Sequence, residues 1–279
     1  MEIILAETAG FCFGVKRALE LIRGALKSAE PIYSLGPLIH NPGVVRELAE
    51  KGLKVVNNIE EIPSGRVVIC SHGAGPQIYQ KALSQGLKIT DATCPFVKNV
   101  QQLAVLLHEQ SYQIIIVGEK DHAEVKGVLD SVDGEAIVVS NSRELPFTDI
   151  APKVGLISQT TQDISNFQRI VAEVIPYVKE IRIFNTICLA TSERQHEVAK
   201  LSSEVELMIV VGGKNSANTS RLVEISRRNG CPTFQVESAE EVERDWFSGV
   251  NRVGVTAGAS TPDEQISSIL AEIKKIGGN

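Results

Sequence analysis

The chain has 279 residues, 43% of them hydrophobic and 22% charged, with a formal net charge of −6. That usage is globular and excludes intrinsic disorder, while the length suggests about two domains. Apolar runs such as residues 114–117 are strand-length, the first ten residues lack a signal-peptide layout, and no Lys/Arg block marks a nucleic-acid surface. A cytoplasmic protein with no membrane or nucleic-acid partner is expected. Five cysteines are too few for a disulfide scaffold in a chain this long, and in a reducing compartment they point to metal or redox chemistry.

In chain order, residues 2–8 read as a strand leading to Cys12. A helix follows (FGVKRALELIRGALKSA), then the strand IYSLG ending at Gly36, and a helical stretch stopped by Gly52. Next come the short strand LKVVNN, a strand ending in the polar turn of VVICSHGAGP, the helix QIYQKALSQG, and the strand LKITDATC that arrives at Cys94. The same succession then runs from Cys94 to Cys188 and from Cys188 to the end. Gly36, Gly118 and Gly212 each fall 24 residues after the cysteine of their own unit. Gly52, Gly134 and Gly230 follow at 40, 40 and 42 residues, where glycine suits a left-handed helix stop.

The third unit lacks a closing strand, which residues 2–8 supply. The expected fold is therefore α/β, with three pseudo-repeated lobes bounded at 13–94, 95–188 and 189–279. Each carries a small parallel sheet, because near-continuous apolar strands alternate with helices. The competing reading is one doubly wound domain whose regularity comes from alternating βα units alone.

Cys12, Cys94 and Cys188 sit at strand-to-helix turns, the edge where open parallel sheets bind ligands. Lobes placed about a pseudo-threefold axis would bring the three thiols together. A helix N-terminus favours thiolate, the metal-binding form. Structural zinc sites use four ligands with paired close spacing, which is absent. A [4Fe–4S] cluster held by three cysteines leaves one iron free for a substrate oxygen. Cys70 and Cys231 break the register and read as small core residues.

Polar residues recur at the same edge. His40, His122 and Ser216 each lie 28 residues after their cysteine, with Pro42, Glu124 and Asn218 two further on. The second turns supply His72, Thr160 with Thr161, and Ser260. Such donors at helix starts suit an oxyanion, with a phosphate or diphosphate the foremost candidate. No P-loop or dinucleotide fingerprint is present. Ser, Thr and Asn at helix starts also serve as plain caps, and Glu124 as a first-turn acid favoured by the helix dipole. As the one acid at these positions, Glu124 is the candidate proton donor, with burial raising its pKa. His108 and His196 fall within helices as surface residues.

The runs GFCFGVKRA, GPLIHNP, SHGAGP, DATCPFV, GEKDHAEVKG, SQTT, GGKNSANTSRL and TAGASTPD span nearly the whole chain and resemble the 4-hydroxy-3-methylbut-2-enyl diphosphate reductase family. The resemblance implies a trefoil of three α/β lobes around a central [4Fe–4S] cluster with an open iron. It implies two-electron reduction of an allylic alcohol diphosphate to isopentenyl and dimethylallyl diphosphate plus water, with electrons from an external ferredoxin- or flavodoxin-type donor. By motif, Cys12, Cys94 and Cys188 correspond to cluster ligands, and His40, His72, His122, Ser216, Asn218 and Ser260 to the substrate-binding set. Glu124 corresponds to the proton relay, with Thr160 near the substrate hydroxyl. Ala217 stands where some members carry a second serine. Two other classes fit the same residues: a hydratase–dehydratase using the cluster as Lewis acid, and an iron–sulfur or metal sensor of a phosphorylated ligand.

Overall fold

The computed structural model describes residues 1–39 and 41–278. Among them the chain runs β1 (Glu2–Leu5), α1 (Phe13–Ala25), β2 (Ile32–Leu35), α2 (Pro42–Glu50), β3 (Leu53–Val56), β4 (Arg66–Ile69), α3 (Pro76–Ser84) and β5 (Lys88–Asp91). The second set is α4 (Pro95–Glu109), β6 (Gln113–Val117), α5 (Ala123–Asp130), β7 (Ala136–Val139), β8 (Lys153–Ser158), α6 (Ile164–Val174) and β9 (Glu180–Ile183). The third is α7 (Leu189–Leu201), β10 (Leu207–Val211), α8 (Ala217–Arg228), β11 (Thr233–Val236), β12 (Arg252–Ala257) and α9 (Asp263–Ile276).

The strands form three four-stranded sheets, β3-β2-β4-β5, β7-β6-β8-β9 and β11-β10-β12-β1. Every strand pair is parallel. The three strand orders are the same, with β1 taking the fourth place of the last sheet. Glu2–Leu5 pairs residue for residue with Arg252–Val255, so the expected N-terminal strand is real but shorter than 2–8.

The register glycines do what their spacing suggests. Gly52, Gly134 and Gly230 close their helices at positive φ, where a side chain would be strained. The N–H groups of Gly36, Gly118 and Gly212 donate to Val56, Val139 and Val236 at 2.9, 2.9 and 3.0 Å, ending the first strand of each sheet identically.

Compactness divides the chain into two units, Met1–Val15, Ile39–Val45 and Leu189–Asn279 in one, Lys16–Leu38 and Arg46–Cys188 in the other. In the first, the sheet buries Ile209, Val211 and Val255 against Ile266, Ile269 and Ile273 of α9, while Met208 and Val210 face Val198 and Leu222. Spacing of three and four residues puts those α9 isoleucines on one stripe, each contributing roughly 1.5–3 kcal/mol on burial. The second unit covers Ile114–Val117 on both faces in the same way, which explains the unbroken apolar run. No helix among the described residues is long and apolar enough to cross a membrane.

Candidate active site

The fourth strand of each sheet is followed by a register cysteine: β5 ends three residues before Cys94, β9 five before Cys188 and β1 seven before Cys12. Pro95 occupies the first helical position of α4 and Cys94 caps it; Cys12 and Cys188 directly precede α1 and α7. All three are half-buried, and none is in a disulfide among the described residues. Their backbones are pinned alike: the N–H groups of Cys12, Cys94 and Cys188 donate to the carbonyls of Ala259, Ser71 and Thr160 at 3.1, 3.0 and 3.0 Å. Three thiols in one repeated setting at helix starts suit a thiolate-ligated centre. Among the described residues no three His, Cys, Asp or Glu side chains are grouped to hold one metal ion, so the case for a multi-iron centre rests on the thiols' chemistry and register. Cys70 and Cys231 are buried, and desolvation pushes both thiols up, as inert core residues require.

Those backbone bonds also set the register of the second turns. The N–H groups of Gly73, Gln162 and Thr261 close turns onto Cys70, Gln159 and Gly258 at 3.1, 3.0 and 3.1 Å. Thr160 is therefore equivalent to Ser71 and Ala259, whereas His72 and Ser260 match Thr161. Of the two threonines the sequence offers at this turn, Thr161 is the one in line with His72 and Ser260, and Thr160 the one whose carbonyl receives the cysteine N–H.

In the second unit Glu124, in the first turn of α5, is 2% exposed. Its Oε1 accepts the Thr160 N–H at 2.6 Å and its Oε2 the Thr160 hydroxyl at 2.7 Å. Burial raises the carboxyl to about 7, against the pull of these two bonds. The group thus holds a proton near neutral pH and can release it, the property of a general acid. Thr160 carries a third link, since its carbonyl accepts from Cys188.

His122 caps α5, its Nδ1 accepting the Glu124 N–H at 3.2 Å. That bond assigns the ring proton to Nε2, leaving a donor at the far side of the ring. The ring of His72 meets His122 edge-on, with centroids 5.4 Å apart. His40 lies outside the described residues. Its neighbour Asn41 is the cap that sequence reasoning missed: buried, it accepts the Val44 N–H at 3.1 Å and donates to Gln265 at 2.9 Å. The available signal was Pro42, which marks the first helical position and so makes the residue before it the cap.

In the first unit Ser216 caps α8, its hydroxyl accepting the Thr219 N–H at 3.3 Å. Asn218, the second residue of α8, is 5% exposed, and both amide atoms are buried without a hydrogen-bond partner. An unpaired buried amide at a helix N-terminus costs roughly 1–3 kcal/mol. Ser260, half-buried, follows the carbonyl that holds Cys12.

Repeated thiols after the strands, polar helix starts and a carboxyl able to hold a proton are features suited to an α/β oxidoreductase. The model of the LytB protein family matches residues 3–274, and the chain belongs to that family. The 4-hydroxy-3-methylbut-2-enyl diphosphate reductase of Syntrophotalea carbinolica is 48% identical over 274 residues, 98% of each chain. That of Aquifex aeolicus is 44% identical over 280 residues, covering 99% of this chain and 97% of the relative. A solved (E)-4-hydroxy-3-methyl-but-2-enyl diphosphate reductase, the terminal enzyme of the non-mevalonate pathway, is 43% identical. It aligns with a TM-score of 0.71 over 99% of this chain and 100% of its own. The E-1-hydroxy-2-methyl-but-2-enyl-4-diphosphate reductase of Plasmodium falciparum, 27% identical, reaches 0.91 over 98% and 88%.

Proposed function

We propose that this chain reductively removes the hydroxyl of (E)-4-hydroxy-3-methylbut-2-enyl diphosphate, giving isopentenyl and dimethylallyl diphosphate plus water. The observation that carries the reading is Glu124, a buried carboxyl titrating near neutrality in a chain whose full-length relatives bear that reductase name. The C–O bond breaks, two electrons enter, one proton leaves with oxygen as water, and a second adds to either end of the allylic unit.

Cys12, Cys94 and Cys188 would hold the [4Fe–4S] cluster, which when bound supplies the electrons and an iron position without a protein thiolate. Their repeated backbone setting supports this assignment. Glu124 holds the departing proton. Protonated, its hydroxyl donates to Thr160 Oγ, freeing the threonine hydrogen to turn toward the leaving oxygen. Ser216, Asn218 and Ser260, together with His40, His72 and His122, bind the diphosphate, with the orphaned amide of Asn218 and the capped helix starts in support. An external ferredoxin- or flavodoxin-type protein in the cytoplasm delivers the electrons. The same reading divides the chain into lobes 13–94, 95–188 and 189–279, in keeping with the shared strand order.

The test is anaerobic incubation of reconstituted protein with the allylic diphosphate and reduced methyl viologen. Formation of the two isomeric diphosphates is expected. Turnover without reductant, or a colourless, zinc-containing protein with intact fold, would sink the assignment.

A further inference from the structure

Two arginines outside the residues so far assigned grip the backbone next to cysteines. Arg17, on the helix that follows Cys12, donates from Nη1 to the carbonyl of Thr93 at 3.0 Å, one residue before Cys94. Arg194, on the helix that follows Cys188, donates from Nη2 to the carbonyl of Gly10 at 2.6 Å, two residues before Cys12. α7 thus holds the turn before Cys12, and α1 the turn before Cys94.

Both turns are fastened from a second side. Glu197, one helical turn past Arg194, accepts the N–H groups of Glu7 and Thr8 at 2.6 and 3.0 Å and also the Thr8 hydroxyl. Glu7–Gly10 is therefore clasped by its donors at one end and its carbonyl at the other. At the second turn, Asp91 accepts the Thr93 N–H at 2.9 Å while Arg17 takes the Thr93 carbonyl. Arg194 is 5% exposed, so its charge is kept in the interior. The turn before Cys188 is closed without charge, by the Thr186 hydroxyl on the Ser158 N–H and carbonyl at 2.7 and 2.6 Å.

We propose that Arg17 and Arg194 are positioning residues for the iron–sulfur centre, bracing the Cys94 and Cys12 turns and setting positive charge beside two of its three ligands. This rests on the assignment of the cysteines as cluster ligands. Groups behind the ligands govern how firmly a metal is held, and net charge nearby sets cluster potential.

The test compares wild type with Arg17→Met, Arg17→Lys and Arg194→Met, each checked for fold by circular dichroism. In cluster-free protein, amide exchange over residues 91–95 should quicken in Arg17→Met alone, and over residues 7–12 in Arg194→Met. In reconstituted protein, chelator-driven iron release should be roughly 10-fold faster or more in the Met variants. Their midpoint potential should move to more negative values, with Arg17→Lys restoring both. Folded Arg17→Met with wild-type exchange, or with wild-type release and potential, overturns the proposal. A wild type that takes up no cluster overturns the cysteine assignment, and the proposal with it.

Discussion

Glu124 and Thr160 meet through two bonds, amide and hydroxyl of the threonine each donating to a separate carboxyl oxygen at 2.6 and 2.7 Å. A buried carboxylate satisfied twice by one residue is held in one orientation in either protonation state, because the hydroxyl can reverse its role. Glu124→Gln keeps that shape, since the amide oxygen can accept from the Thr160 N–H and its NH₂ can donate to Oγ. We predict that the variant retains iron and diphosphate affinity while turnover falls by roughly 10²-fold or more. Calorimetric binding beside the anaerobic assay checks this; a variant with near wild-type turnover refutes Glu124 as the acid.

The titration of Glu124 also enters the stability. Its carboxyl moves from 4.5 to about 7 on folding because burial disfavours the charged form. The contribution of the neutral group is complete below pH 4.5 and is lost as pH rises through about 7, an effect on the order of 3 kcal/mol for a shift of this size. The thermal midpoint of Glu124→Gln should therefore gain on that of wild type between pH 5 and pH 8. Parallel curves over that range would count against the raised pKa.

Thr160→Val removes the hydroxyl and preserves shape and the N–H bond. The hydroxyl bond lowers the Glu124 pKa, so its loss should raise it further. The alkaline limb of the pH–rate profile then moves to higher pH, alongside a fall in the maximal rate. Thr160→Ser should keep the wild-type profile. A Val variant with an unmoved limb would show that the hydroxyl does not tune the acid.

Asn218 and Ser216 separate binding from folding. Ser216→Ala loses the cap on α8 and should cost about 1 kcal/mol of stability. Asn218→Ala removes an amide with no partner in the chain, so its thermal midpoint should hold or rise. Its affinity for the diphosphate should drop roughly 5- to 100-fold, the equivalent of about 1–3 kcal/mol. Calorimetry with inorganic diphosphate and thermal melts of both variants give the comparison.

Much of this architecture was readable from spacing. Chain geometry repeats when the same turn must be made again, so Gly52, Gly134 and Gly230 recur because helices of similar length stop in the same left-handed conformation. The N-terminal strand was legible for a related reason, since the third sheet lacked its fourth member. What escaped were relations between distant side chains. Asn41 holds Gln265 across 224 residues, and Arg194 reaches Gly10 across 184. No local pattern encodes such pairs. The sequence offered Thr160 with Thr161 at one turn, and motif order says nothing about which of their carbonyls receives Cys188. The burial of Glu124 was an expectation from chemistry, and only packing against its surroundings makes a first-turn acid into a titrating one.

The pairing of β1 with β12 has a bearing on synthesis. β1 is synthesised long before its partner strand, which begins at Arg252, and the Ala259 carbonyl that fixes the Cys12 N–H follows later still. Vectorial folding can therefore finish the sheets β3-β2-β4-β5 and β7-β6-β8-β9 on the nascent chain while the Cys12 turn stays unformed. On the proposed assignment of Cys12 as a ligand, loading waits for residues 252–259. Ribosome-bound chains halted before residue 252 should fail to take up iron, however long they wait.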